Sequence, residues 1–254
     1  MDLIKENAVI TRQQEIAPGI YDMELSFPKG ARTAKPGQFL AMYCNDGTKL
    51  LPRPISICGI DKGKGILRVV YRIAGEGTRE FSQMREGESL EVMGPLGNGF
   101  TMKEEEAIII GGGIGIPPML ELSRQLSAPK TIVLGYRDNT FLKEEFESCG
   151  DVRVATEDGR EGVKGTVIDA IREYGIKGKV IYACGPMPML KAVAEYAQEN
   201  GMEAQISLEE RMACGIGACL GCICRSKTKD HHTNVNNKRI CKDGPVFDAK
   251  EVVF

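Results

Sequence analysis

The stretch AIIIGGGIGIPP, residues 107–118, decides how the chain is read. An alanine and three isoleucines run into glycines, and two prolines follow. A short apolar run that stops at glycine reads as a buried strand, 107–111. Proline is tolerated in a first helical turn, so the pattern resumes as a helix from Pro117 to Leu126. A Gly-rich turn between strand and helix lets backbone N–H groups approach a phosphate at the helix N-terminus. Gly111, Gly112, Gly113 and Gly115 are therefore candidate nucleotide-binding residues. The prolines depart from G-x-G-x-x-G, and a plain tight strand–helix turn is the competing reading.

Downstream, strands alternate with helical patterns. Strand 131–137 (TIVLGYR) is followed by a short helix around 142–148, strand 152–157 (VRVATE), helix 166–174, strand 179–185 (KVIYACG), helix 188–199 and strand 203–209 (EAQISLE). This alternation implies βαβ units and a five-stranded parallel α/β domain over 102–208. Ligands in such open sheets sit beyond the carboxyl ends of the strands. Strand 179–185 ends in CGPMPML, so Cys184, Gly185, Pro186 and Met187 share that edge with the first loop. A lone Cys184 also fits plain core packing.

Upstream, residues 1–101 read as β. Runs AVITRQQEI, IYDMELSF, QFLAMYC, ISICGI, ILRVVYRI and ESLEVMG are separated by turn signals PKG, KPG, NDG and DKGKG. Six strands at this spacing suggest a small closed antiparallel barrel, interrupted by a helix from Thr78 to about Met84. Arg53-Pro54-Ile55-Ser56 and, further on, Val70-Tyr71-Arg72 and Gly77-Thr78 lie in this region. An Arg beside a Ser can hold a phosphate and reach a ring nitrogen together, and Gly77-Thr78 opens a helix that favours a pyrophosphate. Taken singly, RPIS fits an edge strand broken by Pro54, and GEGT fits a turn.

From 209 to 254 periodicity dissolves and cysteine takes over. The chain has nine cysteines, and Cys214, Cys219, Cys222, Cys224 and Cys241 crowd this end. The spacing C-x4-C-x2-C with a distant fourth Cys is the plant-type [2Fe–2S] pattern. Gly215, Gly217, Ala218 and Gly221 allow a tight wrap that brings backbone N–H groups onto sulfur. The expected ligands are Cys214, Cys219, Cys222 and Cys241, with Cys224 the alternative fourth. Zinc is the competing metal, but no second C-x2-C pair is present. His231 and His232, in the polar insertion 226–238, read as solvated loop residues.

Composition narrows the function classes. A formal charge of −2 gives no footprint for nucleic acid. The longest uncharged stretch, 107–120, is too short and too broken to span a bilayer, and the first residues lack a signal-peptide core, so a cytoplasmic location is expected. An odd number of unevenly placed cysteines speaks against a secreted disulfide scaffold. No motif offers the general acid or base that an organic substrate demands.

RPIS, GEGT, GGGIGIPP and CGPMPM, in that order, resemble the ferredoxin–NADP reductase superfamily. The tail EERMACGIGACLGCIC…RICKDGPVF resembles one branch, the electron-transfer subunits of class 1B, NAD-dependent dihydroorotate dehydrogenase. The resemblance implies a barrel binding FAD through Arg53, Pro54, Ile55, Ser56, Val70, Tyr71, Arg72, Gly77 and Thr78. It implies an α/β domain taking NAD as a diffusible substrate, and a C-terminal [2Fe–2S] module. The superfamily usually carries Tyr where Ile55 stands, and Tyr71 is an aromatic that could compensate. It further implies an FMN-containing dihydroorotate dehydrogenase partner, two copies of each chain, and a place in UMP synthesis. Nicotinamide exchanges two electrons at once and a [2Fe–2S] cluster one; a flavin does both, so the three together make a relay. Two other readings stand beside it. One is a small flavin/iron–sulfur subunit of a ferredoxin:NADP oxidoreductase or sulfhydrogenase. The other is a zinc-stabilised regulatory module on a degenerate reductase fold. Arg137, after its strand, leaves NADP open as the nucleotide.

Overall fold

The computed structural model describes residues 3–229 and 234–254, so His231 and His232 lie outside the described residues. The first six strands are β1 (Lys5–Ala17), β2 (Ile20–Ser26), β3 (Phe39–Met42), β4 (Arg53–Asp61), β5 (Ile66–Arg72) and β6 (Ser89–Leu96). They close into an antiparallel barrel in the order β1-β2-β5-β4-β3-β6, as the alternating runs predict. Leu67, Val69 and Tyr71 of β5 face the barrel interior with Ile10, Met23, Leu25 and Leu40, following the period of two. Two helices accompany the barrel. α1 (Pro28–Thr33) occupies what reads as the turn PKG: Pro28 sits in the first helical turn, and Gly30 lies so close to the Phe27 ring that a Cβ would fall 2.5 Å from it. α2 (Glu76–Gln83) starts two residues earlier than expected, from an extended Gly75.

The second half is built from β7 (Ala107–Gly112), α3 (Pro117–Gln125), β8 (Lys130–Tyr136), α4 (Lys143–Glu147), β9 (Asp151–Thr156), β10 (Val163–Lys164), α5 (Val167–Glu173), β11 (Val180–Cys184), α6 (Met187–Glu199) and β12 (Glu203–Ser207). All five expected strands are present and parallel. Two short edge strands extend them, β10 and, from the C-terminal end, β15 (Val246–Asp248), giving the order β10-β9-β8-β7-β11-β12-β15. The C-terminal module supplies a small hairpin, β13 (Ile223–Arg225) with β14 (Asn237–Arg239), and then β15 (Val246–Asp248). β15 runs antiparallel along the free edge of β12, with Ile206 opposite Phe247. The strand order reverses between β7 and β11, and the crevice at such a switch point is where open α/β sheets take ligands. Among the described residues, no helix is long and apolar enough to cross a membrane.

A buried ion network locks barrel to sheet domain. Asp22 on β2 is fully buried and accepts from Arg68 Nε at 2.8 Å, Arg68 Nη2 at 3.0 Å and Arg12 Nη2 at 2.7 Å. Arg68 reaches across the domain junction to both carboxylate oxygens of Glu145 on α4, at 2.6 and 2.8 Å. Arg124 on α3 joins Glu145 at 2.7 Å. Removing one member of a buried pair leaves an uncompensated charge, so Arg68→Met is expected to cost about 3 kcal/mol, read as a lower denaturation midpoint. Hydrogen bonds from Arg68 hold the Glu145 carboxyl below its ordinary value. That contribution is complete above the ordinary carboxylate range and fades as pH falls through the lowered value. Wild type should therefore lose more stability on acidification than Glu145→Gln does in a pH series of thermal unfolding.

Candidate functional site

A cleft of 440 Å³ opens between the barrel and the carboxyl ends of the sheet strands. Arg53, Pro54, Ile55, Ser56, Val70, Tyr71, Arg72 and Thr78, dispersed over three elements in sequence, all line it. The strand pleat sorts their roles. Val70 and Arg72 lie on the outer face of β5, toward the cleft. Tyr71 lies on the inner face, with its ring 1% exposed, stacked on Tyr21 at 5.9 Å and edge-on to Phe81, and its hydroxyl donating to Gln13 Oε1 at 3.1 Å. The period of two turns the Tyr71 ring into the barrel core, while the residue still lines the cleft. Thr78 Oγ1 accepts the N–H groups of Ala74 and Gly75 at 2.9 and 3.2 Å, which fixes the turn entering α2. The Arg53 guanidinium lies against that helix start, and a Cβ on Gly77 would fall 1.8 Å from its Nε. A guanidinium pressed on a helix N-terminus where a side chain is missing is a cradle for a pyrophosphate.

The two glycine loops meet at the switch point. A Cβ on Gly115 would stand 2.5 Å from the Cys184 carbonyl and the Gly185 nitrogen, and one on Gly112 would stand 2.4 Å from Met189 Sδ. Gly113 takes φ +53°. Ile114, between them, reaches the cleft wall, so the glycine loop and the cleft share a boundary. The Cys184 side chain is fully buried beneath this contact, and burial pushes its thiol well up, so it meets the loop through its main chain.

The thiols at the C-terminal end act on one another: Cys214 interacts with Cys219, and Cys241 with both Cys222 and Cys214. Backbone N–H groups converge on the sulfurs: Ala218 on Cys214 at 3.3 Å, Gly221 on Cys219 at 3.4 Å, and Cys241 on Cys222 at 3.4 Å. Burial alone would raise Cys214, but the N–H groups of Ile216, Cys219 and Ala218, with the Cys219 side chain, bring it down to about 6. Burial, reinforced by Cys222, pushes Cys241 up to about 12, so a metal must displace its proton. Among the described residues, no three His, Cys, Asp or Glu side chains gather as a single ion requires. Four thiols at C-x4-C-x2-C spacing with a distant fourth, met by backbone N–H donors, fit a two-iron cluster. Cys224 is half-buried against the core, beside Lys238 on the hairpin.

Residues 209–253 match the model of the iron–sulfur cluster binding domain of dihydroorotate dehydrogenase B. The whole chain is 43% identical over 260 aligned residues to the dihydroorotate dehydrogenase B (NAD(+)) electron transfer subunit of Bacillus mycoides, covering 98% of this chain and 99% of that one. The corresponding Bacillus cereus subunit is 42% identical over the same span. The chain belongs to the family of dihydroorotate dehydrogenase B electron-transfer subunits. Among solved structures, an NADH-dependent reduced ferredoxin–NADP oxidoreductase superposes with a TM-score of 0.87 at 27% identity, covering 97% of this chain and 89% of that one. Phthalate dioxygenase reductase shares the fold, at TM-score 0.65 and 18% identity, over 93% of this chain and 94% of that one.

For an electron-transfer subunit of this family, one wall of the cleft matters most and reads least clearly from sequence. Leu208, Glu209, Glu210, Arg211 and Met212 complete the cleft, with Phe39 and Pro245. The structure places Glu209, Glu210 and Arg211 on the cleft wall. Their position directly after β12, at the carboxyl edge of the sheet, was the available signal. Glu209 is exposed on the cleft wall. Met212 lines the cleft two residues before Cys214, at most about 7 Å of chain. Cleft and cluster loop are therefore adjoining. Gly115 offers a test of the nucleotide loop. Its neighbours are backbone atoms that cannot step aside, so Gly115→Ala is expected to destabilise by about 1–3 kcal/mol and weaken NADH oxidation, measured by melting and by diaphorase assay.

Proposed function

We propose that the chain relays electrons from a separate FMN-containing dihydroorotate dehydrogenase subunit, through a [2Fe–2S] cluster and FAD, to NAD⁺, in UMP synthesis. The observation that carries this is the continuity of the thiol loop with the flavin cleft through Arg211 and Met212. Arg53 and the Gly77 end of α2 hold the FAD pyrophosphate; Ser56 and the β4 main chain face its ring system. Gly111, Gly112, Gly113 and Gly115, with Gly185, Pro186 and Met187, seat the nicotinamide nucleotide at the switch point. Cys214, Cys219, Cys222 and Cys241 hold the cluster. When bound, these groups supply the interchange between single electrons and hydride.

Cys219 is exposed, and around it Ile216, Leu220 and Ile223 are each 44–45% exposed. An apolar collar around the most open cysteine is the face for the catalytic subunit. The assembly is two copies of each chain in the cytoplasm. The domains divide at 1–101, 102–208 and 209–254, with β15 returning to the sheet. The likeness to a reduced ferredoxin–NADP oxidoreductase favours a second reading, a subunit serving ferredoxin; its 27% identity is well below the 43% of the Bacillus mycoides subunit.

Coexpression with the dihydroorotate-oxidising subunit, purified anaerobically, tests the proposal. The complex should run as a hetero-oligomer containing two irons and one FAD per chain and reduce NAD⁺ with dihydroorotate. Failure to associate, or reduction of ferredoxin but not turnover of dihydroorotate, would transfer the assignment to the second reading.

A further inference from the structure

Between the first two cysteines, the thiol loop is gripped from behind by a residue with no ligand role. Arg239, at the end of β14, is buried, with 8% of its surface exposed. Its Nη1 donates to the Gly217 carbonyl at 3.2 Å. Its Nε donates to Asp243 Oδ2 at 3.1 Å, and the same oxygen accepts the Arg239 backbone N–H at 2.8 Å. The guanidinium is thereby fixed to the turn that carries Cys241.

The Gly217 carbonyl and the Ala218 N–H are the two ends of one peptide unit. That N–H donates to Cys214 Sγ at 3.3 Å. A peptide is planar and its C=O and N–H point in opposite directions, so holding the oxygen aims the hydrogen. A cationic donor on the oxygen also polarises the peptide and strengthens the N–H as a donor. Gly217 takes φ +84°, and a Cβ there would fall 2.6 Å from the Lys242 side chain, so glycine lets the loop lie flat on this turn. Hydrogen bonds to the sulfurs are among the levers that set a cluster's potential.

We propose that Arg239 is a positioning residue for the cluster: through the Gly217–Ala218 peptide it orients and polarises the N–H on Cys214, and so raises the cluster's affinity for an electron. This rests on the cluster assignment made above. It goes beyond that assignment in naming a determinant of the cluster's potential outside the cysteines.

Two substitutions push in opposite directions. Arg239→Gln removes the charge behind the peptide; Asp243→Asn keeps the guanidinium on Gly217 and removes its counter-charge. The experiment is EPR-monitored redox titration of the coexpressed, anaerobically purified complex, with iron counted per chain. Arg239→Gln should keep its iron and lower the cluster's electron affinity about tenfold, a negative shift of about 59 mV for one electron. Asp243→Asn should shift positive, and Arg239→Lys should fall between Gln and wild type. A wild-type potential in iron-replete Arg239→Gln overturns the proposal. So does a negative or absent shift in Asp243→Asn, which decides alone if Arg239→Gln loses iron. Loss of iron from all three variants marks a purely structural role and also overturns it. A wild-type complex without a two-iron signal would instead sink the cluster assignment itself, so the two failures are distinguishable.

Discussion

Cys222→Ser will yield a subunit that keeps its flavin and its exchange with NADH but no longer passes electrons to or from dihydroorotate. Cys222 is the most enclosed of the four thiols with Cys241, each 2% exposed, and accepts the Cys241 N–H. A serine oxygen is a shorter, harder ligand than a thiolate, and soft sulfur is what iron–sulfur clusters select. Loss of groups that merely support a metal ligand costs about 10–100-fold, so loss of a ligand should lower dihydroorotate-dependent NAD⁺ reduction by at least about 100-fold. NADH oxidation by an artificial dye acceptor, which needs only flavin and nucleotide loop, should stay near wild type. Equal loss of both activities would show that the thiols support the fold rather than the relay. The melting temperature should fall as well, because binding free energy at such a site is folding free energy.

Arg53→Ala gives the complementary phenotype: iron retained, flavin lost. In the proposed site the guanidinium beside the start of α2 donates charge-assisted hydrogen bonds to the FAD pyrophosphate, each worth about 1.5–3 kcal/mol. Removing two at the low end weakens FAD binding by about 100-fold. The variant should purify with FAD well below one per chain, as read from the flavin absorption after protein precipitation, with iron content unchanged. Gly77→Val tests the same cradle from the other side, since its Cβ would occupy the place of Arg53 Nε. Stoichiometric FAD in both variants would place the pyrophosphate elsewhere.

Much of the architecture follows from local pattern. The alternating runs gave the six barrel strands, and 107–118 gave the strand–turn–helix at the switch point. The face occupied by Tyr71 was also legible, because Leu67, Val69 and Tyr71 share one parity along β5. What escaped comes from packing between distant segments. The Asp22–Arg68–Glu145 network joins residues 46 and 77 positions apart, and nothing local marks those charges as buried. The cleft wall at 208–212 is assigned by where β12 ends, not by its own composition. α1 hid behind PKG because proline and glycine signal a turn unless the Phe27 ring is known to fill the space that Gly30 leaves. β15 is three residues long and has no period to detect.

That last strand guards the sheet against self-association. By lying along Glu203–Ser207, it covers the outermost rung of the sheet, and it is anchored by the same segment that carries Cys241. A chain whose tail is pulled away loses this cover. Its bared border then offers unpaired amides to any neighbouring molecule, the starting point for clumping.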